Sequence, residues 1–447
     1  MGRRGELLAA VDFGSRQVRV LIARVSDDGV MRILGHGVAD SRGCVSQGVI
    51  QNLGAAQSAL KKAMKLAEKE AGAKVTAVFC GLNGRNVETF IREGQVKLER
   101  EIVELEHLQE ALDLASRDIL AAGKRPISSV TSEEWYVDDL RVTEPVGIRG
   151  SILKTRVHFA LLPTVIENNI LQCIDANGLE LEDVVYLPLA AAIGCLTPED
   201  IELGVGVLDL GRTTVGLSIY RDRRIINTNS FEFGGIHITR DVAAGLQISY
   251  EEAIELIMEY GIAESLIENL EDDGEEAGDG EEIHDSAEGL ITSSATNYDN
   301  EGNRQTTIKL KSAVRGAPQI VKRAELDMII FERSRELLNV IQRYFTGRNL
   351  TRHLVRGVVL TGGAGTIKNM DRLAEAILQV PVRLGHPMDI EAMPPSVNDP
   401  TFTPAVGILK HAYDFRMAIR SGRIEIQRGF IGSIFHGIAK FIGKYFF

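Results

Sequence analysis

The sequence predicts an α/β protein built from a duplicated unit with a cleft between its halves. Strand and helix signals alternate along most of the 447 residues. Two stretches share one design. AVDFGSRQVRVLI (Ala10 to Ile22) and GVLDLGRTTVGLSI (Gly206 to Ile219) each read strand, Asp, apolar residue, Gly, small polar residues, strand. A glycine-rich strand-to-helix turn, LTGGAGTIKNM (Leu360 to Met370), follows the second copy.

Taken in order, Leu7 to Val11 and Val18 to Val25 form a predicted hairpin around Asp12-Phe13-Gly14-Ser15. An amphipathic helix follows over Leu53 to Ala71, then a buried strand over Val75 to Gly81. Leu105 to Ala122 reads as helix, with strands around Val130 to Leu140 and Leu153 to Leu161. Thr164 to Asn177 is helical, opened by a Thr after Pro163. The second hairpin spans Gly204 to Asp209 and Thr214 to Tyr220, and a helix is expected over Asp241 to Tyr260. Glu271 to Arg304 is poor in large apolar residues and rich in Gly, Asp, Glu, Ser and Asn, which predicts a disordered acidic loop. Glu325 to Phe345 is a long helix, Val355 to Leu360 a buried strand, and Asn369 or Asp371 can cap a helix running through Leu378.

A chain of this length implies roughly two to four domains. With 44% apolar and 25% charged residues it can bury sizeable cores. A net charge of -12 argues against nucleic acid as the main partner. Acid is concentrated in Glu268 to Glu288, whereas Arg416 to Lys444 is basic. Cys44, Cys80, Cys173 and Cys195 form no C-x-x-C pair, so reduced thiols in a cytosolic protein are expected, with no metal cluster or disulfide framework. The apolar stretch Leu7 to Val11 is too short for a signal peptide or a membrane span.

A tight turn with glycine and hydroxyl residues offers backbone N–H groups to an anion, and an Asp just before it can hold a hydrated divalent cation beside phosphates. The candidate nucleotide residues are therefore Asp12, Gly14, Ser15 and Arg16 in the first hairpin, and Asp209, Gly211, Arg212, Thr213 and Thr214 in the second. Gly362, Gly363 and Gly365 in the third turn complete the set, with Asp12 and Asp209 as candidate Mg²⁺ holders through water.

With these residues in view, the chain resembles the actin, Hsp70 and sugar-kinase superfamily, and within it the FtsA family of bacterial cell-division proteins. SRGCVSQGVIQNLGAAQSAL (Ser41 to Leu60), WYVDDLRVTEPVGIRGSILKTRVHFALLP (Trp135 to Pro163), FEFGGIHITRDVAAGLQISYEEA (Phe231 to Ala253) and TPAVGILKHAY (Thr403 to Tyr413) carry the likeness. The resemblance implies an actin-like, two-lobed fold with four subdomains around a nucleotide cleft. Their expected bounds are 1–84 with 163–202, an FtsA-type insertion at 85–162, 203–233 with 348–412, and 234–347 containing the acidic loop 271–304. A linker at 413–428 and an amphipathic membrane helix at 429–447 follow. It adds Gly234 and Gly235 to the nucleotide set, with ATP and Mg²⁺ as cofactors. It also implies self-assembly into filaments, binding of the C-terminal peptide of the tubulin-like protein FtsZ, contacts with other division proteins, and a place on the cytoplasmic side of the membrane at the division site.

The phosphate motifs depart from the family pattern. Asp209-Leu210-Gly211-Arg212-Thr213-Thr214-Val215 lacks a second Gly and a final Asp, so the cradle is less open. Arg212 either replaces lost N–H contacts or plugs the site. Ile254 and Ile257 stand where Glu and Lys usually reach the adenosine, Gln17 where Lys is usual, and Asn369 where Gly is common. Leu187-Pro188 lacks the preceding Glu that would orient a hydrolytic water. The expectation is weakened ATP binding and at most slow turnover, with no catalytic residue assignable.

The C-terminal stretch GFIGSIFHGIAKFIGKYFF raises a separate question. On a helix, Phe430, Ile431, Ile434, Phe435, Ile438, Phe441, Ile442, Tyr445 and Phe446 fall within an arc of roughly 160°, with Lys440 and Lys444 on the polar side. Its glycines each cost roughly 1 kcal/mol relative to Ala, while full burial returns on the order of 1.5–3 kcal/mol per apolar side chain. Such a segment folds when something covers it, and aromatic residues with lysines suit an anionic lipid surface. For the FtsZ peptide the resemblance points to subdomain 234–347, where Arg323 and Arg333 are the chosen contacts because a guanidinium is a rigid fork for carboxylates. The leading expectation is a membrane-tethered scaffold. The alternative is an actin/Hsp70-class ATPase, a pilus-assembly or sugar-kinase relative, whose turnover is the main output.

Overall fold

A computed structural model describes residues 5–26, 28–84, 87–99, 101–117, 124–126, 133–276, 307–310 and 320–420. The chain divides into two compact units. The first holds residues 1–235, 349–366 and 381–447, and the second holds residues 236–348 and 367–380.

The first unit contains the predicted duplication at the level of topology. One five-stranded sheet has the order Met31–Asp40, Gln17–Val25, Glu6–Phe13, Ala77–Leu82, Glu180–Tyr186. A second has the order Arg224–Phe231, Val215–Arg221, Val205–Leu210, Val358–Thr361, Val382–Leu384. Each is an antiparallel three-strand meander followed by two parallel strands. Near-continuous apolar runs such as VGVLDL read as strands buried on both faces, and all six residues of Val205–Leu210 are buried.

Helix Leu53–Ala71 forms where the sequence places it. The Asn52 side chain accepts a hydrogen bond from the Ala55 N–H, and Gly72 ends the helix in the left-handed conformation. Its alanine-rich face (Ala56, Ala59, Leu60, Ala63, Ala67) seats against strand Met31–Asp40. The approach is close enough that a Cβ on Gly37 would lie 1.9 Å from the Ala63 carbonyl oxygen.

Between Leu82 and Thr164 the chain builds a separate sheet. Its strands run Leu140–Val142, Glu133–Val137, Ile152–Pro163, Glu88–Lys97, and Lys124–Pro126 also pairs with Ile152–Pro163. Helix Leu105–Ser116 covers one face, joining Leu108, Ala111 and Leu112 to Trp135, Leu153 and Phe159 in one core. The strand expected from Val130 to Leu140 is instead two strands. Asp138 and Asp139 both take positive φ (47° and 68°) and form the hairpin turn between them.

The second unit is mainly helical, with helices Tyr250–Tyr260, Glu264–Glu276, Arg323–Gly347 and Met370–Leu378 and a two-stranded sheet of Thr307–Lys309 with Ile320–Lys322. The helix expected over Asp241 to Tyr260 is broken into Gly235–Leu246 and Tyr250–Tyr260. Gln247 turns left-handed (φ 55°) and the Ser249 side chain accepts from the Glu252 N–H, so a C-terminal and an N-terminal cap meet there. Residues 271–276, expected to begin the disordered loop, continue helix Glu264–Glu276. Asn369 takes a left-handed conformation that asparagine tolerates better than most residues, and its side chain donates to the Ile262 carbonyl instead of capping the helix.

Helix Thr403–Arg420 runs through the first part of the expected 413–428 linker. Phe415 packs edge-on against Phe79, and Arg416 pairs with Glu6 and Glu182, so this stretch is anchored to the first sheet. The rest of that linker, the segment 429–447 and most of the acidic loop lie outside the described residues.

Candidate functional site

Strand register explains why the two hairpins present similar tips. Asp12 pairs with Arg19 and Phe13 with Val18, leaving Gly14 to Gln17 as the turn. Asp209 pairs with Gly216 and Leu210 with Val215, leaving Gly211 to Thr214. The turns match residue for residue, and both lie in the first unit.

The tips meet. Ser15 Oγ and Thr213 Oγ1 share a hydrogen bond of 2.5 Å. An Arg212 Nη1–H donates to the Ser15 carbonyl at 3.2 Å, and the Gln47 N–H donates to Thr213 Oγ1 at 3.0 Å. Asn83 Nδ2 lies 3.5 Å from Thr214 Oγ1, and its carbonyl oxygen accepts from Ser230, which also bonds Tyr186. Ser41, the first residue of an FtsA-like stretch, donates its hydroxyl to the Gly14 carbonyl, and its N–H donates to the Arg16 carbonyl.

Two further turns close on the second hairpin. The Gly235 N–H donates to the Gly211 carbonyl at 3.0 Å, and the Ala364 N–H donates to the Leu210 carbonyl at 2.8 Å. Gly362 has φ 79°, and a Cβ there would lie 2.3 Å from Asp209 Oδ1. Only glycine lets that backbone reach the carboxylate. Beside Gly363 there is room, since an added Cβ would touch nothing closer than Thr401 at 4.0 Å.

Beneath the turns lie the two aspartates. Asp12 and Asp209 are 5% and 9% exposed. Burial pushes the Asp12 carboxyl up to about 6 despite Arg19. Burial, and then the charge of Asp12, push Asp209 up to about 7. Arg19 Nη1 is 3.9 Å from Asp12 Oδ2, and Asp12 Oδ1 has no hydrogen-bond partner. Asp209 and Asp399 also act on the Arg19 guanidinium.

The arrangement can be tested against its expected occupants. Glycine turns, hydroxyls and guanidiniums suit phosphate oxygens, although Ser15 and Thr213 are bonded to each other and would have to part. A divalent cation does not fit beside Asp12 as the site stands, because the Arg19 guanidinium already lies 3.9 Å from that carboxylate and its charge also acts on Asp209. Among the described residues no group of three His, Cys, Asp or Glu side chains is arranged to hold a metal ion.

A second feature stands on the second unit alone. Helices Gly235–Leu246 and Arg323–Gly347 flank a groove of about 630 Å³. Ala244, Gly245 and Ile329 supply apolar surface, while Arg333, Arg335 and Arg343 rim it together with the carboxylates Asp241, Glu332 and Glu336; Glu332 pairs with Arg335 at 2.7 Å. Arg333 Nε bonds Asp241, and its Nη1 bonds Glu336 at 2.6 Å. Arg323 lies outside this groove, held by Asp327 at 2.6 Å and stacked over Tyr260 at 4.1 Å.

A family model described as "Cell division protein FtsA" matches residues 206–407. The cell division protein FtsA of Pseudomonas aeruginosa is 26% identical over 408 residues, covering 91% of this chain and 89% of that protein. That of Neisseria meningitidis is 28% identical over 413 residues, covering 92% and 91%. Over most of its length the chain is similar to cell division protein FtsA. Among solved structures, a PilM–PilN type IV pilus biogenesis complex aligns with a TM-score of 0.54 at 13% identity, covering 92% of this chain and 99% of that one. The chain thus has an actin-like fold.

The predicted nucleotide residues of the three turns lie close together, except that the Arg16 side chain is exposed. Residues 430–446, including Lys440 and Lys444, lie outside the described residues. Sequence reasoning missed Arg19, Gln47, Asn83 and Asp399. Arg19 was findable, because closing the hairpin symmetrically around Gly14 to Gln17 sets it opposite Asp12. The others come from distant loops and carried no local signal.

Proposed function

We propose that this chain is an actin-like scaffold of the FtsA family that assembles into filaments on the cytoplasmic face of the membrane at the division site and holds FtsZ there. The carrying observation is the arginine-rimmed groove of the second unit. Its apolar floor suits a hydrophobic side chain of a short peptide, and its guanidiniums suit flanking or terminal carboxylates. The amphipathic sequence from Phe430 to Phe446 supports a lipid-bound helix, and filaments would make its attachment firm through avidity. The four subdomains expected from the family remain part of this reading. Nucleotide acts in it as a conformational clamp: Gly14, Gly211, Gly234, Gly235, Gly362, Gly363 and Gly365 bring backbone close to the phosphates, and Ser15, Thr213 and Thr214 donate hydroxyls once the tips separate. Assembly, rather than turnover, is the output.

The test is binding of a labelled FtsZ C-terminal peptide by fluorescence anisotropy. Arg333→Ala removes a charge-assisted donor worth roughly 1.5–3 kcal/mol, a loss of about tenfold or more in affinity. Unchanged affinity in Arg333→Ala and Arg343→Ala would remove the groove from the proposal.

A further inference from the structure

We propose that Arg19 is the resident cation of the Asp12–Asp209 pair, so that this site accepts phosphate without a divalent metal. The phosphate part rests on the nucleotide reading above; the exclusion of metal does not.

The duplication makes the point visible. In the matched register, Asp12 faces Arg19 and Asp209 faces Gly216. One repeat supplies a long cationic side chain, and the other leaves the equivalent place without one. Arg19 therefore stands against Asp12, and its charge also acts on Asp209.

Its guanidinium is fixed from several sides. Nη1 lies 3.9 Å from Asp12, Nη2 donates to Gln17 Oε1 at 2.9 Å, and the cation sits 5.6 Å from the centroid of the Phe402 ring. The side chain is only 13% exposed. Asp209 and Asp399 add attraction, and Arg16 adds a second positive field at the same point. A further guanidinium, Arg212, is bonded to the first turn through the Ser15 carbonyl. A hydrated dication held at Asp12 would compete with the Arg19 guanidinium that already faces this carboxylate and is fixed by Gln17 and the Phe402 ring. What remains toward the turns is a cationic floor with fixed donors, which suits phosphate oxygens.

The experiment uses the full-length chain stripped with EDTA and titrated with Mn²⁺ alone, free Mn²⁺ being read by electron paramagnetic resonance. Wild type and Asp209→Asn should bind Mn²⁺ alike, through surface acids only. Arg19→Gln should gain a site at least about tenfold tighter, which disappears again in Arg19→Gln/Asp209→Asn. A wild-type site lost in Asp209→Asn, or no gain in Arg19→Gln, overturns the proposal. If Arg19→Gln does not fold, the wild-type and Asp209→Asn comparison decides alone. A second arm measures the thermal shift of wild type with ATP in EDTA and in Mg²⁺. Equal shifts support the proposal, and a shift that requires Mg²⁺ overturns it. No shift in either condition ends the nucleotide reading while the Mn²⁺ result still decides the role of Arg19.

Discussion

Replacing Asp209 by Asn should stabilise the protein, and by an amount that grows with pH. An aspartate in an unfolded chain titrates near 3.8, whereas folding pushes Asp209 to about 7, through burial first and the charge of Asp12 second, with Arg19 opposing. The folded state therefore keeps a proton that the unfolded state releases. For an acid with a raised folded value, stability is greatest below the unfolded pKa and falls as pH rises between the two values. At roughly 1.4 kcal/mol per pKa unit, the carboxylate costs the fold about 4 kcal/mol at pH 8 and about 2 kcal/mol at pH 5. Asparagine keeps the shape and carries no charge. Trp135 is the only tryptophan, is buried, and lies in the same unit, so its fluorescence during urea unfolding reports the relevant transition. Asp209→Asn should raise the midpoint at both pH values, with the gain at pH 8 about twice that at pH 5. A loss of stability at pH 8, or a gain independent of pH, would refute the reasoning.

Two further outcomes follow from packing and patterning. A Cβ on Gly407 would lie 1.7 Å from the Ala190 carbonyl oxygen, backbone against backbone, where no rotamer change relieves the clash. Gly407→Ala should therefore destabilise the protein by about 2–3 kcal/mol despite its better helix propensity, measured by the same urea transition. Deleting residues 429–447 should leave that transition unchanged and abolish co-sedimentation with anionic vesicles; undiminished pelleting of the truncated chain would sink the lipid-anchor reading.

Much of the fold was legible because local signals and tertiary structure agree. The Leu53–Ala71 helix carries its own caps and an uninterrupted apolar face. The duplicated hairpins announce themselves through a repeated Asp-x-Gly, and the two sheets share one strand order. Periodicity failed where it continued across a break. The apolar pattern runs through Gln247 to Ser249, so only the capping chemistry of Ser249 marks the gap. It failed again at residues 413–420, where polar composition suggested a linker but Phe415 and Arg416 find partners on the first sheet. At the site, the turns were readable as local motifs. What binds them to each other was not, because the Ser15–Thr213, Gln47–Thr213 and Asn83–Thr214 contacts join segments far apart in the chain. The groove of the second unit needed two helices side by side, and only one of its arginines, Arg333, was singled out from the sequence.

The central claim is that this chain links FtsZ to a lipid surface. The direct measurement is flotation of purified FtsZ with anionic vesicles in the presence of the full-length chain, of the chain lacking residues 429–447, and of Arg333→Ala. The account predicts that FtsZ floats with the full-length chain, stays at the bottom with the truncated one, and is strongly reduced with Arg333→Ala. Flotation of FtsZ that is indifferent to the deletion, or none at all with the intact chain, would contradict it.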